Sequence, residues 1–200
     1  LLDGKIKNSR SIDERAKALS WHLKENFFVL TVTAEKHNLS NTPLIYLKNL
    51  AANLVSDSKA VLYYHHIVLV INTSKKEPFS EGSMNEFIEF LKANHLKCGI
   101  SRCFHNLEDI REHYEQSAKA IELGIRMKRQ DVLLNYEDYA VFHVLDILGA
   151  KSDLKKFCHP VIFELIEYDK KNNTNYTESL HIYLSKALDT AESAKALYIH

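Results

Sequence analysis

The hydrophobic rhythm of the chain changes at about residue 136. Before it, short continuous apolar runs alternate with stretches of helical spacing; after it, every strong period is helical. Ile12, Ala16, Leu19 and Leu23 follow a capping box at Ser11 and Glu14, which predicts a first helix of about three turns. The run FFVLTVT at 27–33 is aromatic and β-branched and reads as a buried strand. Pro43 suits the first position of a second helix, whose inner face carries Leu44, Leu47, Leu50, Ala51 and Leu54.

AVLYY at 60–64 and IVLVIN at 67–72 predict two strands joined tightly at His65 and His66. The joint has neither Asn-Gly nor Gly-Gly, so the turn type stays open. A polar loop follows, and then a capping box at Ser83 and Glu86. The helix behind that box would bury Phe87, Ile88, Phe90 and Leu91. CGISRCF at 98–104 is a further strand. Asn106 and Asp109 cap a long helix that turns Ile110, Tyr114, Ala118 and Ile121 inward to about residue 127. Residues 131–135 make the last short strand.

The order is a helix, then β-α-β-β-α-β-α-β, then helices only. It predicts an α+β fold, with a mainly antiparallel sheet and helices on one face. We divide the chain at 135: residues 1–135 carry the sheet, and residues 136–200 are helical. Asn172, Asn173, Thr174 and Asn175 are the most linker-like spot.

The closing stretch, 177–200, reads as an amphipathic helix, a short break and a second, small-residue helix. Asp189 or Thr190 can cap the second helix. Ala191 and Ala194 are small where two helices would cross closely, and Leu197 and Ile199 supply apolar contacts at the turn. The pattern fits the scaffold of a helix-turn-helix and an ordinary helical hairpin equally well.

Lys plus Arg equals Asp plus Glu, at 26 each, so no global basic field supports stand-alone nucleic-acid binding. Residues 174–200 hold two lysines against three acids. The three cysteines form no CxxC, which argues against a disulfide framework and for a cytoplasmic setting. No apolar run approaches the ~20 residues that span a bilayer, so no membrane partner is expected.

ESLHIYLSKALDTAESAKALYIH at 178–200 resembles the C-terminal helix-turn-helix of the PucR/CdaR family of bacterial transcriptional regulators. Ser179-Leu180, Tyr183-Leu184, Ala194, Leu197 and His200 stand in the places of its Thr-Leu, Tyr-Leu, small-residue and Leu-x-x-His elements. Ser193 stands where Ala is common. The family's Arg-Asn-Thr-Leu run, which opens the recognition helix, would follow His200. Leu1-Leu2-Asp3-Gly4, Arg15-Ala16 and the strand at Phe27 resemble the lead into that family's GGDEF-like central domain. CGISRCF together with YEQSAKA at 114–120 resembles that domain's Gly-hydrophobic-Ser strand and the helix after it.

The resemblance implies a cyclase-like fold, so catalysis has to be tested on residues. The cyclase turn Gly-Gly-Asp/Glu-Glu-Phe would fall at Tyr63-Tyr64-His65-His66-Ile67. Tyr64, His65 and His66 lack the glycines that let a backbone approach a nucleotide. The first strand, Val29-Leu30-Thr31-Val32-Thr33, has no carboxylate for Mg²⁺. We expect no enzyme activity, no catalytic residues, no metal site and no cofactor. Asp109 and His113 make too small a ligand set, and the basic cluster at 126–129 is explained by placement at a helix C-terminus.

The expectation is a piece of a cytoplasmic regulator. It would have a degenerate GGDEF-like domain for signal transmission or dimerisation and a DNA-binding domain cut before its recognition helix. A homodimer is expected, because helix-turn-helix proteins read paired half-sites. A small-molecule effector would bind a domain outside these residues, and DNA would be bound by the full-length protein but not by this piece. Two rivals stay open: a divergent nucleotide-binding or cyclase enzyme, and a protein-interaction module that does not touch DNA.

Overall fold

The computed structural model of the chain describes residues 1–4, 9–18, 20–34 and 43–199. Leu19, Thr42 and His200 lie outside them. The chain divides into two compact units, Leu1–Asp146 and Ile147–His200. The first runs past the boundary we placed at 135, because Tyr136 and Tyr139 are buried with Leu123 and Leu134 in one apolar cluster.

Among the described residues, five strands form one sheet in the order β2-β3-β1-β4-β5. They are β1 (Asn26–Ala34), β2 (Ser58–Tyr63), β3 (His66–Thr73), β4 (Leu96–Ile100) and β5 (Leu133–Asn135). β1 is central and antiparallel to β3 and to β4, with Leu30 opposite both Leu69 and Ile100. Only the β4–β5 pair is parallel. The fold is α+β with a mainly antiparallel sheet, in the element order that the sequence predicts.

Helices cover both faces of the sheet, not one. Phe28, Leu30 and Val32 of β1 pack with Leu47 and Ala51 of α2 (Leu44–Leu54) and with Phe87 and Leu91 of α3 (Glu81–Ala93). Phe27 and Val29 point the other way. They pack with Ile12 of α1 (Ser9–Ala18) and with Ile110 of α4 (Ile110–Arg126). The cause lies in β1, which is buried without interruption from Asn26 to Val32. Such a strand needs an apolar layer on each side.

Several element ends differ from expectation. Helix α1 begins at Ser9, so Ser11 is inside it and not its cap. It stops at Ala18, where Ser20 takes a left-handed φ of 50°; Trp21 then packs edge-on to Phe27, and Leu23 stays exposed. Pro43 is the cap of α2, not its first residue. Helix α3 starts before Ser83, which is its third residue: the Ser80 N–H donates to Ser83 Oγ at 3.0 Å. β4 ends at Ile100; beyond it the Ser101 N–H still donates to the Val29 carbonyl, and Phe104 bridges back to Phe27.

The helical remainder comprises α5 (Ala140–Lys151), α6 (Pro160–Asn172), α7 (Tyr176–Ser185) and α8 (Thr190–Leu197). In the second unit, the spot that reads as a linker at 172–175 is a tight turn. Asn173 closes α6 in the left-handed conformation, with φ 51°. The Asp169 carboxylate then accepts hydrogen bonds from Thr174 Oγ1, the Tyr176 N–H, and the N–H and hydroxyl of Thr177, at 2.7–2.9 Å. No helix among the described residues is long and apolar enough to cross a membrane.

Candidate functional site

The hairpin between β2 and β3 is tighter than its sequence suggests. Tyr63 pairs with His66, so the two turn residues are Tyr64 and His65, and His66 already belongs to β3. Tyr64 takes the left-handed conformation (φ 50°) that glycine usually fills. Its side chain is exposed, and its ring meets Tyr63 edge-on at 4.6 Å.

Behind the turn a polar chain ties three segments together. Tyr63 donates its hydroxyl proton to Asp3 Oδ1 at 2.8 Å, and its ring stands edge-on to Tyr114 of α4 at 5.1 Å. The Tyr114 hydroxyl lies 3.0 Å from His66 Nδ1. Arg111 of α4 donates to the Asp3 carbonyl at 3.0 Å. The hydrogen bond to Asp3, then burial, then the Asp3 charge, hold the Tyr63 phenol well above its ordinary pKa. Burial and the neighbouring His65 lower His66, which favours the neutral ring.

Beside this chain lies an open groove of about 870 Å³. The sheet contributes Thr33, Ala34 and His66; α4 contributes Tyr114, Ala118, Lys119, Ile121 and Ile125; His143 comes from α5. The charges along it are paired internally. Lys119 Nζ meets Glu122 at 2.8 Å and Asp146 at 3.0 Å, and Arg126 meets Asp146 at 2.7 Å. Arg126 is the member of the 126–129 basic cluster in the last turn of α4, and its guanidinium is engaged by these carboxylates.

The close approach of α4 to the sheet is set by three small residues. Thr31 Oγ1 and Ser117 Oγ share a hydrogen bond of 2.6 Å, and Gly99 lies against the Ser117 carbonyl. Ser101 ends the Gly-Ile-Ser run by accepting the Val29 N–H at 2.9 Å and donating to the Arg102 carbonyl. The two halves of the motif, at 98–104 and 114–120, therefore meet in one contact.

A Mg²⁺ ion of the cyclase kind does not fit the described donor set. Thr31, Val32 and Thr33 of β1 and Tyr64 and His65 of the turn carry no carboxylate. Among the described residues, no group of three or more His, Cys, Asp or Glu side chains converges on a point. Asp109 caps α4, whereas His113 is buried and stacked on Phe104, with ring centroids 4.0 Å apart. All three cysteines are free, and burial pushes the Cys98 thiol up.

In the second unit, α7 and α8 are joined by a turn in which Ala187 and Leu188 both have positive φ. Asp189 caps α8, and its side chain accepts the Glu192 N–H at 2.9 Å. Thr190 and Ala191 are exposed, and Ala194 and Leu197 are half-buried. Ile199 is 58 % exposed, so it does not fix the turn. The residue buried beside the turn is Ser193, whose hydroxyl donates to the Asp189 carbonyl. His200 is outside the described residues.

The groove, the Asp3–Tyr63 contact and the role of Ser193 were all missed from sequence. The available signals were weak: a glycine inside a strand at Gly99, and a small residue, Ser193, early in a short helix.

No curated protein matches the chain. A family model described as a GGDEF-like domain matches residues 3–123, which takes in the whole of β1 to β4 and most of α4. The chain belongs to the GGDEF-like domain family.

Proposed function

We propose that the chain is part of a bacterial transcriptional regulator of the PucR/CdaR type. Its GGDEF-like domain transmits a signal or pairs subunits and makes no cyclic dinucleotide. The α7–α8 pair is the scaffold of the DNA-reading module, and a small-molecule effector acts through a domain outside these residues. Regulators of this architecture work in the cytoplasm as homodimers, because the two half-sites of an operator require two readers.

The observation that carries this reading is the short turn from α7 to α8. Asp189 caps α8 with its side chain, and Ser193, small enough to be buried beside the turn, takes the Asp189 carbonyl. A small buried residue lets two helices cross closely, which a helix-turn-helix needs in order to present its next helix to the major groove. The Tyr64-His65 turn supports the absence of cyclase chemistry, because its side chains stand where a nucleotide would need bare backbone and a carboxylate.

Selection of bound fragments from genomic DNA tests the regulator reading. The intact gene product that carries these residues should enrich one operator sequence, and the 200-residue chain should enrich none. If neither does, the DNA reading falls. Incubation with GTP and Mg²⁺, followed by chromatography, tests the catalytic part, and any cyclic dinucleotide would overturn it. A docking module is the second reading, favoured by Leu184 and Leu188, which are 58 % and 56 % exposed. It predicts a protein partner and no operator for the intact product.

A further inference from the structure

The groove beside α4 has the dimensions of a small-molecule site, which typically spans roughly 300–1,000 Å³ and is lined mainly by apolar groups. Two small residues, Ala34 on the sheet and Ala118 on α4, line it. Ile121 and Ile125 add an apolar wall, and Ile125 is 48 % exposed with no role in either core cluster of the sheet. Large apolar side chains left open beside polar groups that converge mark a binding surface more often than a neutral one.

The polar groups decide what chemistry fits. Lys119 is held by Glu122 and Asp146, Arg126 by Asp146, and Arg111 by Glu115. A carboxylate or an ammonium entering the groove would have to break one of these pairs and lose part of its own hydration. Two imidazoles also line it. Each has one nitrogen engaged by a tyrosine hydroxyl: His66 Nδ1 by Tyr114 at 3.0 Å and His143 Nδ1 by Tyr136 at 2.8 Å. Among the described residues their second ring nitrogens carry no such bond, and they offer hydrogen-bonding positions over an apolar floor.

We propose that this groove binds an uncharged, mainly apolar small molecule that carries an amide or carbonyl group. The site lies within the first unit, Leu1–Asp146, and stands apart from the DNA-reading proposal, so either can fail without the other.

The test is an NMR titration of the 200-residue chain with benzamide, alongside benzoate and benzylamine as charged molecules of nearly the same shape. Benzamide should move the signals of Thr33, Ala118 and Ile121 saturably, and each charged analogue should bind about tenfold or more weakly, because its charge has no free partner. Ala118→Leu should fill the groove and abolish the shifts with the rest of the spectrum unchanged. Should that variant not fold, Ile125→Gln, at an exposed helical position, should weaken benzamide without altering the fold. Equal or tighter binding of either charged analogue, absence of saturation, or shifts that survive both substitutions would overturn the proposal. So would movement of the same signals on simple dilution, which would assign the groove to a second copy of the chain.

Discussion

Gly99 in β4 lies directly against the carbonyl oxygen of Ser117 in α4: a Cβ at position 99 would stand 1.9 Å from that oxygen. Backbone, unlike a flexible side-chain tip, cannot step aside without moving the helix. Gly99→Ala should therefore lift α4 from the sheet, break the Thr31–Ser117 hydrogen bond and cost about 3 kcal/mol. Gly124→Ala is the matched control. Its Cβ would stand 2.7 Å from Leu134 Cδ1, the end of a side chain, and alanine adds roughly 1 kcal/mol of helix preference. Urea denaturation of the two variants should rank Gly99→Ala as clearly the more damaging.

Much of this unit is readable from residue types. The run 27–33 announces a buried strand, and the alternation of apolar runs with helical periods gives the element order. The faces were harder. One uninterrupted apolar strand does not say whether one or two layers cover it, and here Phe27 and Phe28 serve different cores. The turn was misplaced by one residue because Tyr64 adopts positive φ, a state that side-chain identity does not advertise. In the second unit the Asn-rich spot looks loose until Asp169, in the last turn of the helix before it, is seen to bind the turn. The groove is invisible in sequence, since its lining comes from β1, β3, α4 and α5, which only the fold brings together.

The Asp3–Tyr63 contact makes a spectroscopic prediction. Tyr63 should ionise above the ordinary tyrosine range, because its hydroxyl donates to a carboxylate and partial burial disfavours the phenolate. Asp3→Asn should bring it back towards the ordinary tyrosine range. The raised folded-state value means that this contribution to stability is complete below about pH 10, the unfolded tyrosine pKa, and is lost as pH rises through the folded value. Phenolate absorbance during alkaline titration of wild type, Asp3→Asn and Tyr63→Phe measures it, and an unchanged curve for Asp3→Asn would remove the contact's importance.

His113 and His66 predict the opposite pH dependence. Burial lowers both. Around His113, the charges of Glu112 and Asp109 and the Gln116 side chain pull upward and Arg102 pulls down, but burial prevails; its Nδ1 is buried without a hydrogen bond. A depressed histidine contributes stability that is complete above about pH 6.5, the unfolded value, and is lost as pH falls towards the folded value. Thermal or urea stability should therefore decline below about pH 6.5. His113→Gln should flatten that slope, even if it lowers stability at neutral pH by removing the stack on Phe104. A slope unchanged by both His113→Gln and His66→Gln would count against the assignment.

Asp169 is the equivalent lever in the second unit. Burial raises its pKa, but four hydrogen bonds to Thr174, Tyr176 and Thr177 outweigh that and hold the carboxyl well below its ordinary range. Its contribution is present above about pH 4, the unfolded carboxyl value, and is lost as pH falls through the folded one. Asp169→Asn keeps the size but removes charge and acceptor capacity, so hydrogen exchange should show the first turn of α7 opening at neutral pH. Protection in α4 and β1 should be unaffected.

The α7–α8 turn can be challenged at its cap and at its buried serine, and the two substitutions should behave differently. Asp189→Ala removes the acceptor for the Glu192 N–H and should cost about 1 kcal/mol, as loss of a helix cap does, while leaving the crossing distance intact. Ser193→Leu puts a large side chain where only 5 % of the serine is exposed, and should cost about 1–3 kcal/mol by forcing α7 and α8 apart. Ser193→Ala loses only the hydroxyl bond to the Asp189 carbonyl and should stay close to wild type. On the proposed regulator reading, operator binding by the intact gene product should then fall steeply for Ser193→Leu and hardly at all for Ser193→Ala, because a reader helix would depend on the crossing and not on the hydroxyl. Operator binding that follows overall stability alone, with Asp189→Ala and Ser193→Leu losing in proportion to their unfolding free energies, would mean that the turn is only a helical hairpin.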